Sequence, residues 1–298
     1  MTDTTGPTPT AAAVLEALRL AGWLLEQDTQ TELTKSGFVV TPGTAFPDPD
    51  DNTTSREIDA MGWKTLVEDK ASRITVGIRV LAECKQSAMP YVVIGRNSLA
   101  HDRTTARPEQ TFLRESVAVE RIPSPEGGSL LRSVPSHHYL GLDSLPPWSD
   151  EFIGTQMTRL DLKGGKWSAG NDGIFTSLVY PLAKASNYFH KQTKDVPGAI
   201  ELRFPVVVTS APVYQVNVDR EALEPVVVPW STLARNITSA SLQGTFHFDI
   251  VSYASLSRYL SERIEPVAEA LRAIPAERFA MSEDMSWVRP ARVGIEPD

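Results

Sequence analysis

Ile74-Thr75-Val76-Gly77-Ile78-Arg79-Val80-Leu81-Ala82-Glu83-Cys84-Lys85 is the stretch on which the reading of this chain turns. Ile74, Val76, Ile78 and Val80 alternate strictly, the period of a strand with one buried face, and Leu81, Glu83 and Lys85 fall on the opposite face. Residues two apart on a strand point the same way, so Glu83 and Lys85 project together and Cys84 points to the other side as a small buried hydrophobe. Such a pair is either a solvated cross-strand charge pair or the start of a site. Arg56–Trp63, short and half apolar, reads as a partner strand and carries Asp59. Pairing of the two runs brings the Asp59 and Glu83 carboxylates to neighbouring positions. Two hard oxygen ligands, completed by waters and a substrate phosphate, suit Mg²⁺ or Mn²⁺. Such an ion polarises a phosphoryl oxygen and activates its bound water. Lys85 beside it can orient that water or stabilise charge on phosphorus, and the Cys84 backbone carbonyl is a natural extra metal ligand.

Working outward, Val14, Leu15, Leu18, Ala21 and Leu25 recur at helical spacing, so a helix begins near Ala11. Gly22 interrupts it, a helix resumes through Trp23–Lys35, and Ser36-Gly37 supplies a stop. Phe38-Val39-Val40 reads as a short strand, and Pro42 to Ser55, rich in Pro, Asp, Asn and Thr, as a loop. Beyond the key stretch, Tyr91–Ile94 is an apolar strand. From 97 to 170 the pattern weakens under repeated prolines, which predicts an insertion with short elements of its own. Asn171 or Asp172 then caps a helix with Ile174, Leu178, Leu182, Ala185 and Phe189 on one face, kinked or split at Pro181. Leu202–Thr209, Val213–Val218 and Thr245–Tyr253 read as strands, and Leu256–Ile274 as a closing helix. The expected organisation is therefore a disordered leader (1–10), the first half of a core (11–96), the insertion (97–170), the second half of the core (171–275) and a tail (276–298).

Ser55-Arg56-Glu57-Ile58-Asp59, a strand, then Leu81-Ala82-Glu83-Cys84-Lys85-Gln86 resembles the PD-(D/E)XK nuclease superfamily. The helix Trp23-Leu24-Leu25-Glu26 running into Ser36-Gly37-Phe38-Val39-Val40 matches the first part of that core. The resemblance covers residues 22–95. It implies an α/β, three-layer, restriction-endonuclease-like fold with a mixed central sheet flanked by helices. It implies Mg²⁺-dependent hydrolysis of DNA, with RNA as a second substrate class. Asp59 and Glu83 would hold the metal, Lys85 would serve the water, and Glu26 would assist from the helix. Ile58, not proline, precedes the motif aspartate. The long segment after Lys85 also departs from the pattern. Assigning the next core helix to 172–190 makes Lys184, His190 and Gln156 neighbours of the site. Glu57 is a rival ligand on the face of Asp59, Glu16 and Glu32 are rivals for the role of Glu26, and Gln86 could touch a phosphate or a base.

The bulk properties fit this reading without selecting it. The chain has 298 residues, 41% hydrophobic and 22% charged, and a formal net charge of −8. That charge argues against a basic nucleic-acid coat but not against a nuclease whose metal screens the incoming phosphate. It leaves a protein partner, including a second copy of the chain, as an alternative. A silent nuclease-like binding module, or a regulatory subunit docking through 256–274, is the rival class. Cys84 is the only cysteine, no apolar run approaches the ~20 residues of a membrane span, and Met1–Thr10 lacks a secretory pattern, so a cytoplasmic location is expected. His137-His138 has no partners at zinc spacing, and Lys163-Gly164-Gly165-Lys166-Trp167 reads as an exposed basic turn. No phosphate-cradling loop or nucleophile elbow occurs.

Overall fold

The computed structural model describes residues 8–104, 110–111, 117–123 and 129–280. In chain order the elements are α1 (Ala11–Ala21), α2 (Trp23–Lys35), β1 (Val39–Asp48), β2 (Asp51–Asp69), β3 (Ile74–Lys85), β4 (Tyr91–Asn97) and α3 (Ala100–Thr104). Then come β5 (Gln110–Thr111), β6 (Val117–Pro123), β7 (Ser129–Pro135), α4 (Ser136–Tyr139), β8 (Phe152–Lys163) and β9 (Lys166–Gly170). A π-turn (Phe175–Val179) leads into α5 (Tyr180–Lys194), followed by β10 (Ala199–Thr209), β11 (Val213–Asn217), β12 (Val226–Val228), β13 (Trp230–Thr238) and β14 (Gln243–Ser252). The chain continues through α6 (Leu256–Tyr259), a π-turn (Leu260–Ile264), α7 (Glu265–Ala273) and α8 (Ala276–Ala280).

The fold is α/β, with a large mixed sheet in the order β1-β2-β3-β10-β14-β13-β8-β4-β11-β12. On one face the alternating residues Val76, Ile78, Val80 and Ala82 pack against Leu25 and Leu33 of α2, Tyr259 of α6 and Val267 and Leu271 of α7. On the other, Leu81, Val207 and Ile250 pack against Leu178 and the α5 residues Leu182, Ala185 and Phe189. Strand and helix periodicities therefore face each other across two separate cores. At the two ends of the sheet, β1 contains Pro42 and Pro47, and β12 lies between Pro225 and Pro229. Among the described residues no helix is long and apolar enough to cross a membrane.

The N-terminal helices follow the sequence closely. Thr10 caps α1, accepting from the Ala13 N–H at 3.2 Å, and Gly22 at φ +88° separates α1 from α2. The predicted break at Pro181 takes the form of the π-turn, with the proline in the first turn of α5, where its missing N–H costs nothing.

Two expectations need correction. Pro42–Ser55 is not a loop but the tip of a long hairpin, since β1 extends to Asp48 and the 19-residue β2 begins at Asp51. Its acids are neutralised from a distance. The buried Lys184 Nζ lies 2.6 Å from Asp48 Oδ1 and 2.8 Å from Asp50 Oδ2, and Arg56 also bonds Asp48. Despite burial, these cations hold the Asp48 carboxyl down at about 2. The segment 97–170 is likewise only partly an insertion. The β6–β7 hairpin stands apart as its own sheet, but β8 lies between β4 and β13 in the main sheet and β9 pairs β8. Of the expected leader, residues 1–7 lie outside the described residues, as do 281–298 of the tail, while α8 occupies 276–280.

The β4–β8 ladder shifts register at Ile94/Gly95, and a Cβ built on Gly95 would sit 2.0 Å from the Ile153 carbonyl oxygen. Backbone cannot yield as a flexible side chain would, so Gly95→Ala is expected to destabilise the protein by about 2–3 kcal/mol. Urea unfolding checks this; an unchanged midpoint would contradict the strand placement.

Candidate active site

The β2–β3 ladder runs from Asp69↔Ile74 to Ala60↔Ala82 and ends there. Just beyond it the Asp59 side chain takes the place of a ladder acceptor, its Oδ2 accepting the Cys84 N–H at 2.6 Å. The strand pair closes on a side chain rather than on backbone, which fixes the Asp59 carboxylate against the middle of Glu83-Cys84-Lys85. Helix α2 fixes the other side of Asp59, with Gln30 Nε2 donating to the Asp59 carbonyl at 3.2 Å. Leu25, Thr29 and Leu33 bury one stripe of α2, and Cys84 Sγ lies 3.4 Å from Thr29 Oγ1. Burial pushes the Cys84 thiol up to about 12, which removes it as a nucleophile.

Glu83 and Lys85 turn to the other side of β3. Lys85 Nζ lies 2.8 Å from Glu83 Oε1, whereas Glu83 Oε2 is buried and has no hydrogen-bond partner among the described residues. Burial first, then the Asp59 charge, pushes the Glu83 carboxyl up to about 7, against the opposing pull of Lys85. Burial also raises Asp59, more than the Cys84 N–H and Lys85 lower it. Glu26 is raised by burial and by Asp59 and Glu57. Burial works against the Lys85 ammonium, but Glu83 and Asp59 outweigh it and hold the proton on. The result is a cluster short of positive charge, with acids that resist ionisation and one cation that keeps its charge.

The structure brings together Asp59, Glu83, Lys85 and, in the same electrostatic field, Glu26. Glu32 is instead paired with Lys35 at 2.6 Å, and Glu16 lies on the exposed helix α1. Glu57 is exposed, its carboxylate over Gly43, where φ is +51° and a Cβ would meet Glu57 Oε1 at 2.7 Å. Gln86 is exposed, its Cβ against Gly22, so the α1–α2 junction rests on the residue after Lys85. Two expected neighbours are not at the site: Lys184 serves the β1–β2 tip, and Gln156 lies on β8 several strands away. His190 follows Phe189 on α5, whose ring lies 4.8 Å from the Arg79 guanidinium, four residues before Glu83 on β3. His137 is buried and stacked on Trp148, and His138 pairs with Asp143 at the surface. Gln30, which the sequence reading passed over, stands one helical turn after Glu26, a spacing that marks it as a neighbour.

Among the described residues no three His, Cys, Asp or Glu side chains converge to form a metal cage. Two carboxylates and a backbone carbonyl make a sparser donor set, the kind used by an ion that keeps several waters, as Mg²⁺ does. The unbonded, buried Glu83 Oε2 is the observation that fits a cation, because such an acceptor otherwise costs about 1–3 kcal/mol.

A pH signature follows. Between its ordinary value of 4.5 and about 7, folded Glu83 holds a proton that the unfolded chain has released. The native state is therefore favoured at the acid end, and this contribution is lost as pH rises through about 7, by at most about 3 kcal/mol. Urea unfolding in EDTA between about pH 5.5 and 8 should show this loss in the native protein, and a flatter profile in Glu83→Gln. Parallel profiles would mean that Glu83 is not the titrating group. Comparison with known proteins finds no family model, curated protein or solved structure that matches this chain, so the chemistry of the site rests on its own residues.

Proposed function

We propose that this protein is a metal-dependent nuclease of the restriction-endonuclease-like type, hydrolysing DNA phosphodiester bonds at Asp59, Glu83 and Lys85. The observation that carries the reading is the state of Glu83, buried with Oε1 on Lys85 Nζ and Oε2 unbonded, in the field of Asp59. A salt pair serving stability alone would satisfy both carboxylate oxygens; this one leaves an acceptor buried and idle. Asp59 and Glu83, with the Cys84 carbonyl, are the residues that would hold Mg²⁺ or Mn²⁺. The ion supplies Lewis acidity and activation of water when bound.

The remaining work falls to the chain's own groups. Glu83 orients the Lys85 ammonium, which stays charged and is placed to stabilise negative charge on a bound phosphate. The Cys84 N–H holds one Asp59 oxygen, so that the other is presented rather than free to rotate. Glu26 supports the cluster from α2 through its charge. The rival of docking through 256–274 gains no support, since Leu256, Tyr259, Leu260, Ile264, Val267 and Leu271 are all buried in the core.

Plasmid and single-stranded DNA incubated with Mg²⁺ or Mn²⁺ should be cleaved. Lys85→Ala and Asp59→Ala should each lower the rate by about 10²-fold or more, the usual loss for one preorganised charge. Cleavage that survives both substitutions would show that the site lies elsewhere. Because Glu83 must release its proton to bind a cation, apparent Mg²⁺ affinity should fall by up to about tenfold per unit below pH 7. Calorimetric titration at several pH values measures it, and a pH-independent affinity would exclude Glu83 as a ligand.

A further inference from the structure

The ladders carry the level of Glu83 across the sheet. Glu83 lies opposite Val207, Val207 opposite Ile250, and Ile250 opposite Ser231 at the start of β13. Strand β8 runs parallel to β13 through Leu233↔Gly154, and its first residue, Phe152, lies opposite Asn97 at the end of β4. The end of β11 falls at the same level, with Asn217 opposite Gly95. The candidate active site and the ends of β4, β8, β11 and β13 thus share one edge of one sheet. Strand spacing of ~4.8 Å puts β13 about 14 Å from β3, and the sheet curls so that β11 comes back against β13, Gln215 accepting from Ser231 at 3.3 Å.

On that shared edge lies a cavity of about 490 Å³ whose walls include Asn97, Phe152, Gln215, Asn217, Arg220 and Trp230. Its inner wall is rigid and carries more acid than base, with both Asp150 and Asp249 bonded to the single guanidinium of Arg263. Arg263 Nη1 and Nη2 bond the two Asp150 oxygens at 2.9 and 2.8 Å, and its Nε bonds Asp249 Oδ2 at 2.8 Å. Other groups retain free capacity. The Arg220 guanidinium is exposed and makes no side-chain hydrogen bond or ion pair among the described residues. Gln215 accepts from Ser231 at 3.3 Å and keeps its amide donors, while Asn97 accepts from Asn217 at 2.7 Å and keeps its own. Glu151 at the rim is an exposed acid.

Amides that can both donate and accept, half-buried aromatic rings and an uncommitted guanidinium are the combination that takes a nucleotide. The rings give the base a surface, the amides meet its edge, and the cation meets a phosphate. We propose that this groove binds a nucleotide unit of a single strand whose scissile phosphate lies at Glu83 and Lys85. The proposal deepens the nuclease reading and rests on it for the identity of the strand. It gives the enzyme a preference for unpaired nucleic acid, because a base must leave its stack to enter the groove.

The test uses the full chain carrying Lys85→Ala, without divalent metal, and labelled single-stranded DNA of two lengths. One is too short to reach β11 from β3 and the other spans both sites. Arg220→Ala and Gln215→Ala should each weaken binding of the longer strand roughly tenfold relative to the shorter, as expected for one charged or base-edge contact. Arg220→Ala should also flatten the salt dependence of log affinity by about 0.7, the signature of one lost phosphate contact on a single strand. Arg272→Ala, an exposed cation on α7, serves as the control and should change neither. Equal affinities for the longer strand in all proteins would overturn the proposal. Binding of a 5′-mononucleotide that needs Arg220 while strand affinity does not would assign the groove to a free nucleotide and overturn the strand. The two readings fail separately. Strand binding that depends on Arg220 without cleavage by the native protein removes the nuclease and keeps the groove, whereas cleavage with no role for Arg220 does the reverse.

Discussion

The parallel ladder between β3 and β10, unbroken from Ala199↔Thr75 to Thr209↔Lys85, is the constraint from which the rest of the architecture follows. Parallel neighbours cannot be joined by a tight turn, so the chain between them must leave the sheet and return. In doing so it lays down β4, β8 and the helix α5 that covers one face. The ladder is anchored internally by charge as well as by apolar packing. Glu201 accepts from Arg79 on the neighbouring strand at 2.8 and 2.9 Å and from Arg203 at 2.8 Å. The Arg79 guanidinium sits 5.0 Å from the Trp63 ring and 4.8 Å from that of Phe189. A buried ion cluster of this kind is worth less for net stability than for register, because a slip would strand each charge without its partner.

Two acidic clusters in this protein have opposite characters. At the hairpin tip, Asp48 and Asp50 face two cations, the buried Lys184 and Arg56, and both carboxyls are held down at about 2. At the candidate site, Glu83 faces a lysine too but shares it with Asp59, and its carboxyl rises to about 7. The difference lies in the count of charges, not in burial alone. A cluster whose acids outnumber its cations holds unspent affinity for positive charge, whereas a balanced one holds only the fold together.

Much of the site and less of the fold was legible in the sequence. The strict alternation from Ile74 to Val80 fixed the faces of β3, and with them the common direction of Glu83 and Lys85 and the opposite direction of Cys84. The helical spacing up to Leu25 and the glycine at position 22 placed α1 and α2. What escaped reading depended on distant partners. Asp48, Asp50 and the prolines around them look like loop until Lys184, far along the chain, supplies their counter-charge. Strand β8 carries Gly154 because its neighbours approach closely, a Cβ there meeting Val93 at 2.3 Å and the Thr232 carbonyl oxygen at 2.8 Å, and such closeness leaves no periodic trace. Lys184 itself reads as a helix cation free to join the site, and only the tertiary structure shows it already engaged.

The terminal strands of a sheet this wide, β1 and β12, each present a row of unpaired N–H and C=O groups able to recruit another chain. Strand β1 carries Pro42 and Pro47, which cannot donate, and Gly43 in a left-handed conformation that no flat ladder accepts. At the far edge Val226 and Val227 are exposed and apolar, yet β12 is only three residues long and lies between Pro225 and Pro229. Neither margin offers a straight run on which a foreign strand could zip. The prolines that blur the reading of the fold are therefore what blunts its outer strands β1 and β12 against pairing between molecules.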